Sequence, residues 1–139
     1  MNVDCFLDTN VLVYAAMARF SAPGKYERAR LVISETNFGL SAQVLQGFFV
    51  QVTRRSDRPL SAADALVWLE RLTDRPCVAI DRELVVEAVS IAERYQIHYW
   101  DAAVITAATR LGAPTLYTED LNHGQTYGSV RVENPFRMD

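Results

Sequence analysis

Val3-Asp4-Cys5-Phe6-Leu7-Asp8-Thr9-Asn10-Val11-Leu12-Val13-Tyr14 decides how this chain is read. Val3 to Leu7 is a short, mostly apolar run, the pattern of a buried strand. It ends in Asp8. Asn10 to Met17 follows with helical spacing, Val11, Tyr14 and Ala18 sharing a face. A carboxylate between a strand and a helix sits where open α/β sheets put ligands and chemistry. Asp8 lies in an apolar context, and burying a carboxylate without a partner is expensive. The question for the rest of the chain is which residues join Asp8.

Downstream, strands and helices alternate. A helix is predicted over 27–35 after a break at Pro23-Gly24, then a strand over 37–41 ending in Ser41. Ser41 can cap a helix over 42–55, whose Val44, Leu45, Phe48, Phe49 and Val52 follow helical spacing. Ser61 and Asp64 form a capping-box-like start for a helix over 62–72. Cys77 to Ile80 is a third strand, and Asp81 caps a helix over 82–95 with Leu84, Val85, Ala88, Ile91 and Ala92 on its core side. A helix over 101–111 ends at Gly112, where a C-terminal glycine belongs. A fourth strand covers 115–118, a loop is marked by Gly124 and Gly128, and a last strand covers 130–132. Regular alternation of this kind predicts one α/β domain over 1–139 with a mainly parallel sheet.

Composition agrees with a globular chain: 139 residues, 50% apolar and 22% charged. No apolar run is long enough to span a bilayer, and Asp4 and Asp8 interrupt the one candidate leader region, so a cytoplasmic protein is expected. Cys5 and Cys77 both sit in apolar runs and read as buried, reduced thiols. The net charge of −3 leaves nucleic acid open as a partner, because local distribution decides. Arg54, Arg55 and Arg58 cluster at a helix end; solvated surface is the first reading and RNA phosphate contact the second. Trp68 and Trp100 read as core or helix-packing residues, and His98 and His123 as surface residues.

Three carboxylates fall at equivalent places. Asp8 ends the first strand, Asp120 follows the fourth, and Asp101 opens a helix. In a parallel sheet these places share one edge. Each has a simpler reading: Asp101 suits a helix dipole and Asp120 a turn. Together they suggest a site for a hard divalent cation, Mg²⁺ or Mn²⁺, because several aspartates without a histidine or cysteine cluster disfavour zinc. Phosphodiester hydrolysis is the natural chemistry. Thr9 and Asn10 offer supporting hydrogen bonds at the same strand end. An aspartyl-nucleophile phosphatase would want a second aspartate at position 10, which is Asn10.

Asp8-Thr9-Asn10-Val11-Leu12-Val13-Tyr14-Ala15 resembles the opening motif of PIN-domain ribonucleases, in particular the VapC toxins of toxin–antitoxin pairs. Ser41 to Phe49 resembles their second motif, Trp100-Asp101-Ala102-Ala103-Val104-Ile105 the third, Leu116 to Leu121 the fourth, and Asn134-Pro135-Phe136 the usual ending. The resemblance implies a three-layer α/β/α sandwich around a short, mainly parallel sheet. It implies a Mg²⁺-dependent endoribonuclease, with Mn²⁺ as substitute, that leaves a 3′-hydroxyl and a 5′-phosphate. Asp8, Asp101 and Asp120 would be the catalytic metal ligands, with Glu119 as a possible stand-in for Asp120. The partners implied are a VapB-type antitoxin, RNA, a second copy in a homodimer and a higher toxin–antitoxin assembly, with no membrane. Tyr14, Met17 and Phe20 would receive an antitoxin segment.

The second motif departs from the family: Gly47 stands where the family has glutamate. Glycine inside a helix costs roughly 0.5–1 kcal/mol relative to alanine, and the sequence offers no packing reason for it. An attenuated ribonuclease is expected, arising naturally or during production of a toxic protein. The alternative is a disabled PIN domain that only binds antitoxin or RNA. Met138-Asp139 extend past the usual ending and read as an added tail.

Overall fold

The first strand is the middle of the molecule. β1 (Cys5–Leu7) is buried along its whole length and hydrogen-bonds on both sides, pairing in parallel with β2 (Phe38–Ser41) and β4 (Thr115–Tyr117). This is why three apolar residues in a row, rather than an alternating pattern, precede Asp8. A computed structural model describes residues 3–137. Met1, Asn2, Met138 and Asp139, and with them the tail reading, lie outside the described residues. β3 (Cys77–Val78) extends the sheet beyond β2, β6 (Val130–Glu133) beyond β4, and β5 (Thr126–Tyr127) closes the far edge. The order is β3-β2-β1-β4-β6-β5, with only the β5–β6 pair antiparallel.

The helices form the outer layers. α1 (Thr9–Met17) packs on α2 (Pro23–Glu35) and α3 (Ala42–Arg54), and α3 on α4 (Ala62–Arg71). α5 (Arg82–Tyr95) packs on α6 (Tyr99–Arg110), which also touches β2, β4 and β6. The three-layer α/β/α sandwich is therefore as expected. Phe6, Leu7, Leu12, Phe38, Leu40, Phe48 and Leu116 are all fully buried between the layers. Each contributes about 1.5–3 kcal/mol of hydrophobic stabilisation.

Helix starts follow side-chain chemistry. Asp8 caps α1, Ser41 accepts from the Val44 N–H, Ser61 from the Asp64 N–H and Asp81 from the Leu84 N–H. Gly112 follows α6 with φ +67°, the left-handed conformation that suits glycine.

Several expectations need correction. α2 begins at Pro23, not at 27, because proline at a first helical position loses no hydrogen bond. α6 begins at Tyr99, so Asp101 lies inside the first turn rather than at its head. The loop around Gly124 and Gly128 holds β5, whose Tyr127 is buried. Cys77 is exposed because β3 is an edge strand; only Cys5 is buried, and both thiols are free. Val85 is exposed on α5, and Trp100 is 66% exposed instead of packed in the core. Among the described residues no helix is long and apolar enough to cross a membrane.

Candidate active site

The chain leaves β1 at Asp8 and β4 at Tyr117, neighbouring parallel strands, so residues 8–10 and 118–120 meet at one sheet edge. The Asp8 N–H donates to the Tyr117 carbonyl at 3.1 Å, which fixes the two strand ends together. Asp8 Oδ1 accepts from the Thr9 N–H at 2.7 Å, and Asp8 Oδ2 accepts from the Thr118 hydroxyl at 2.8 Å.

Thr118 is the hub of this edge. Its hydroxyl is fully buried, gives its one proton to Asp8 and accepts from Asn10 Nδ2 and from the Asp120 N–H, both at 3.1 Å. Asn10 Nδ2 also donates to Asp120 Oδ2 at 3.1 Å. Asp8, Asn10 and Asp120 are thus joined through one hydroxyl that has no capacity left. Sequence reasoning passed over Thr118. The signal was a threonine two residues before an aspartate just past a strand, since such a hydroxyl readily bonds the backbone two residues on.

The electrostatics are strained. Asp8 is buried, and its carboxyl is pushed up to about 6. Burial is the main cause, the Thr118 and Thr9 hydrogen bonds offset part of it, and the charges of Asp120 and Asp101 add to it. Asp101, half-buried in the first turn of α6, is likewise raised by burial and by Asp120, with His98 opposing. Among the described residues no cationic side chain lowers Asp8. The other buried polar signal is Asn10 Oδ1, an acceptor without a hydrogen-bond partner.

These residues suit a hard divalent cation by donor type: carboxylate oxygens that repel one another, beside an unsatisfied amide oxygen. Among the described residues, however, no three carboxylate, imidazole or thiol groups stand close enough together to hold an ion. The structure joins Asp8 to Asp120 through the Thr118 hydroxyl, while Asp101 is coupled to them by its charge.

Thr9 turns its hydroxyl away from the carboxylates and donates it to the Val44 carbonyl of α3 at 3.1 Å. Gly47 lies against that same side chain. A Cβ at position 47 would stand 2.9 Å from Thr9 Oγ1 and 3.3 Å from its methyl. A packing reason for glycine, invisible in the sequence, is therefore present: Thr9 occupies the space and would have to shift. Glu119 is turned away from Asp8, pairing with Lys25 at 3.0 Å and accepting from the Tyr14 hydroxyl. Tyr14 is thereby engaged, Met17 packs against the core, and only Phe20 of the three expected antitoxin contacts is widely exposed.

The profile of the PIN domain family matches residues 5–128. No curated protein sequence matches the chain. Solved structures do. The VapC20 toxin of Mycobacterium tuberculosis, described as cleaving the sarcin–ricin loop, is 18% identical with a TM-score of 0.68, over 84% of this chain and 89% of that one. A toxin–antitoxin complex from Klebsiella pneumoniae is 15% identical with a TM-score of 0.68, over 94% and 97%. VapBC2 of Rickettsia felis, bound to promoter DNA, is 18% identical with a TM-score of 0.63, over 94% and 97%. At these identities the structures speak to the fold. With most of its length matched by the family profile, this chain belongs to the PIN domain family.

Proposed function

We propose that the chain is a VapC-type endoribonuclease, the toxin of a toxin–antitoxin pair, working with Mg²⁺ or Mn²⁺ and attenuated at Gly47. The observation that carries this reading is the buried, uncompensated carboxylate of Asp8 at the sheet edge it shares with Asp120. A side chain with that much unfavourable charge at a strand end suits a cation that arrives from outside.

Asp8 and Asp120 would hold the ion, with Asp101 drawn in from α6. A bound divalent ion supplies an activated water and neutralises charge on the phosphate. The protein's own part is positioning. Thr118 keeps both oxygens of Asp8 from rotating by fixing Oδ2 while Thr9 N–H fixes Oδ1. Asn10 ties Asp120 to the same hydroxyl, and its Oδ1 is a buried acceptor without a hydrogen-bond partner. Gly47 leaves the α3 side of the site without a carboxylate, which weakens the hold on the ion.

The partner reading follows the neighbours whose structures are toxin–antitoxin complexes. A cavity of 570 Å³ between α2 and α4 offers such a segment an apolar floor at Phe38, Trp68 and Leu72 with Arg30 and Arg71 beside it. A homodimer and a larger assembly with antitoxin belong to the same proposal. The second reading, a disabled binding protein, is favoured by one fact: no three ligating groups converge among the described residues. RNA cleavage by this chain and by its G47E variant, each with Mn²⁺ and with EDTA, separates them. Metal-dependent cleavage that rises in G47E supports the attenuated enzyme. Equal activity in the two proteins refutes attenuation, and no cleavage in either leaves the binding protein.

A further inference from the structure

Trp100 is an exposed aromatic residue beside the candidate site that the site does not use. It sits in the first turn of α6, next to Asp101, with its ring edge against Tyr99 at 5.1 Å. The Gln43 side chain donates to the Trp100 carbonyl at 3.1 Å, so the start of α6 is tied to the start of α3. From this point a cavity of 330 Å³ runs along α3, past Gln46, Gly47 and Gln51, to Arg55 at the helix end. At 1.5 Å per residue, Gln43 to Arg55 spans about 18 Å. A second cavity of 260 Å³ shares Thr9 and Gln51 with it and reaches Asn10 and Asp120. The track and the cavity beside the carboxylate edge therefore adjoin at Thr9 and Gln51.

Its chemistry is one-sided. The α3 track is lined by three glutamine amides, one arginine, Thr9 and the exposed Val50, and no carboxylate lines it. Gly47 contributes only backbone at its centre; a glutamate there would put a negative charge in the path. An exposed indole at one end, an exposed guanidinium at the other and amides between them are the parts of a single-strand nucleic-acid track: bases stack on the ring, and phosphate pairs with the arginine.

We propose that the α3 track from Trp100 to Arg55 binds single-stranded RNA, Trp100 stacking on a base beside the cleavage site and Arg55 holding a phosphate further along the strand. This rests on the ribonuclease reading, but it is tested by binding alone. Twelve-nucleotide oligo(A) and oligo(U) serve as probes, in EDTA at low salt, so that no cleavage occurs. Stacking is tolerant of sequence, so homopolymers suffice. In a W68F protein, where Trp100 is the one remaining indole, the oligonucleotide should quench tryptophan fluorescence. W100L and R55Q should each weaken binding, by anisotropy, about tenfold. R55Q should also lower the slope of log affinity against log salt by about one. R94Q, on α5 and outside the track's lining, controls for charge alone. Equal loss in R94Q, or unchanged binding in both W100L and R55Q, overturns the proposal. So does quenching by poly-glutamate but not by RNA, which would assign the track to an acidic protein segment. Cleavage in Mn²⁺ is scored separately. Strand binding without cleavage leaves the track standing and removes the enzyme; cleavage indifferent to W100L and R55Q does the reverse.

Discussion

Asp8 and Asp81 do the same local job with opposite electrostatics. Each follows a strand, each has extended backbone, and each caps the helix that comes next. Asp81 is exposed and faces Arg110 at 3.2 Å, and the guanidinium holds its carboxyl below the ordinary range. Asp8 is buried at the sheet's centre, and burial, with the charges of Asp120 and Asp101 adding to it, pushes its carboxyl up to about 6. Among the described residues a cation stands at the Asp81 cap and none at the Asp8 cap. Capping alone explains Asp81. It does not explain Asp8, whose position costs stability and so calls for another role.

The largest effect expected from breaking this contrast is catalytic. Partners that merely orient metal ligands are worth about 10–100-fold. Asp8→Asn should therefore lower metal-dependent RNA cleavage by more than about 100-fold, while Asp81→Asn leaves it unchanged; a cleavage assay on both variants decides. Thr118→Val removes the hydroxyl that orients Asp8, and should cost about 10–100-fold with Thr118→Ser close to the parent. Full activity in Thr118→Val would contradict the hub role.

The next effect is a gain. Gly47→Glu should raise cleavage several-fold, less than the full family pattern would suggest, because Thr9 must yield to any side chain there. Gly47→Ala, which brings the crowding without the charge, should not raise it.

Stability sharpens the contrast from the other side. Folding raises the Asp8 carboxyl from 3.8 to about 6, so the folded metal-free protein binds the proton more tightly than the unfolded chain. The penalty is fully present above pH 6 and disappears as pH falls toward 4. It amounts to about 3 kcal/mol. Melting temperature in EDTA should therefore rise from this group as pH drops from 7 to 4.5, and Asp8→Asn should be more stable than the parent at pH 7. Mn²⁺ should raise the melting temperature of the parent and not of Asp8→Asn. The smallest effect belongs to Asp81: Arg110→Gln should lower the melting temperature slightly, because the exposed pair it breaks is screened by solvent.

What the sequence could reveal depended on how local the cause was. The β1–Asp8–α1 unit was legible because apolar run, capping carboxylate and helical spacing are all written within a dozen residues. The Ser41, Ser61 and Asp81 caps were legible for the same reason. Pro23 was misread as a break because its meaning turns on whether a helix follows. β5 was missed because two residues carry no period, and its burial comes from the fold around Tyr127. Cys77 and Trp100 looked like core because apolar character says nothing about which strand is an edge or which face of a helix is open. At the site, the residue types were legible but their connections were not. Thr118 binds Asp8 across 110 positions of sequence, and Thr9 fills the space beside Gly47 from another helix. Asp101 lies in the first turn of α6, and its charge adds to the upward push on the Asp8 carboxyl.

The central claim is that Asp8 is a carboxylate kept without a protein cation so that a divalent ion can take that place. Mn²⁺ titration of the parent protein and of Asp8→Asn, followed by isothermal calorimetry with RNA cleavage measured on the same samples, tests it most directly. The account predicts saturable Mn²⁺ binding and Mn²⁺-dependent cleavage in the parent, with both lost in Asp8→Asn. Mn²⁺ binding and cleavage that survive intact in Asp8→Asn would contradict it.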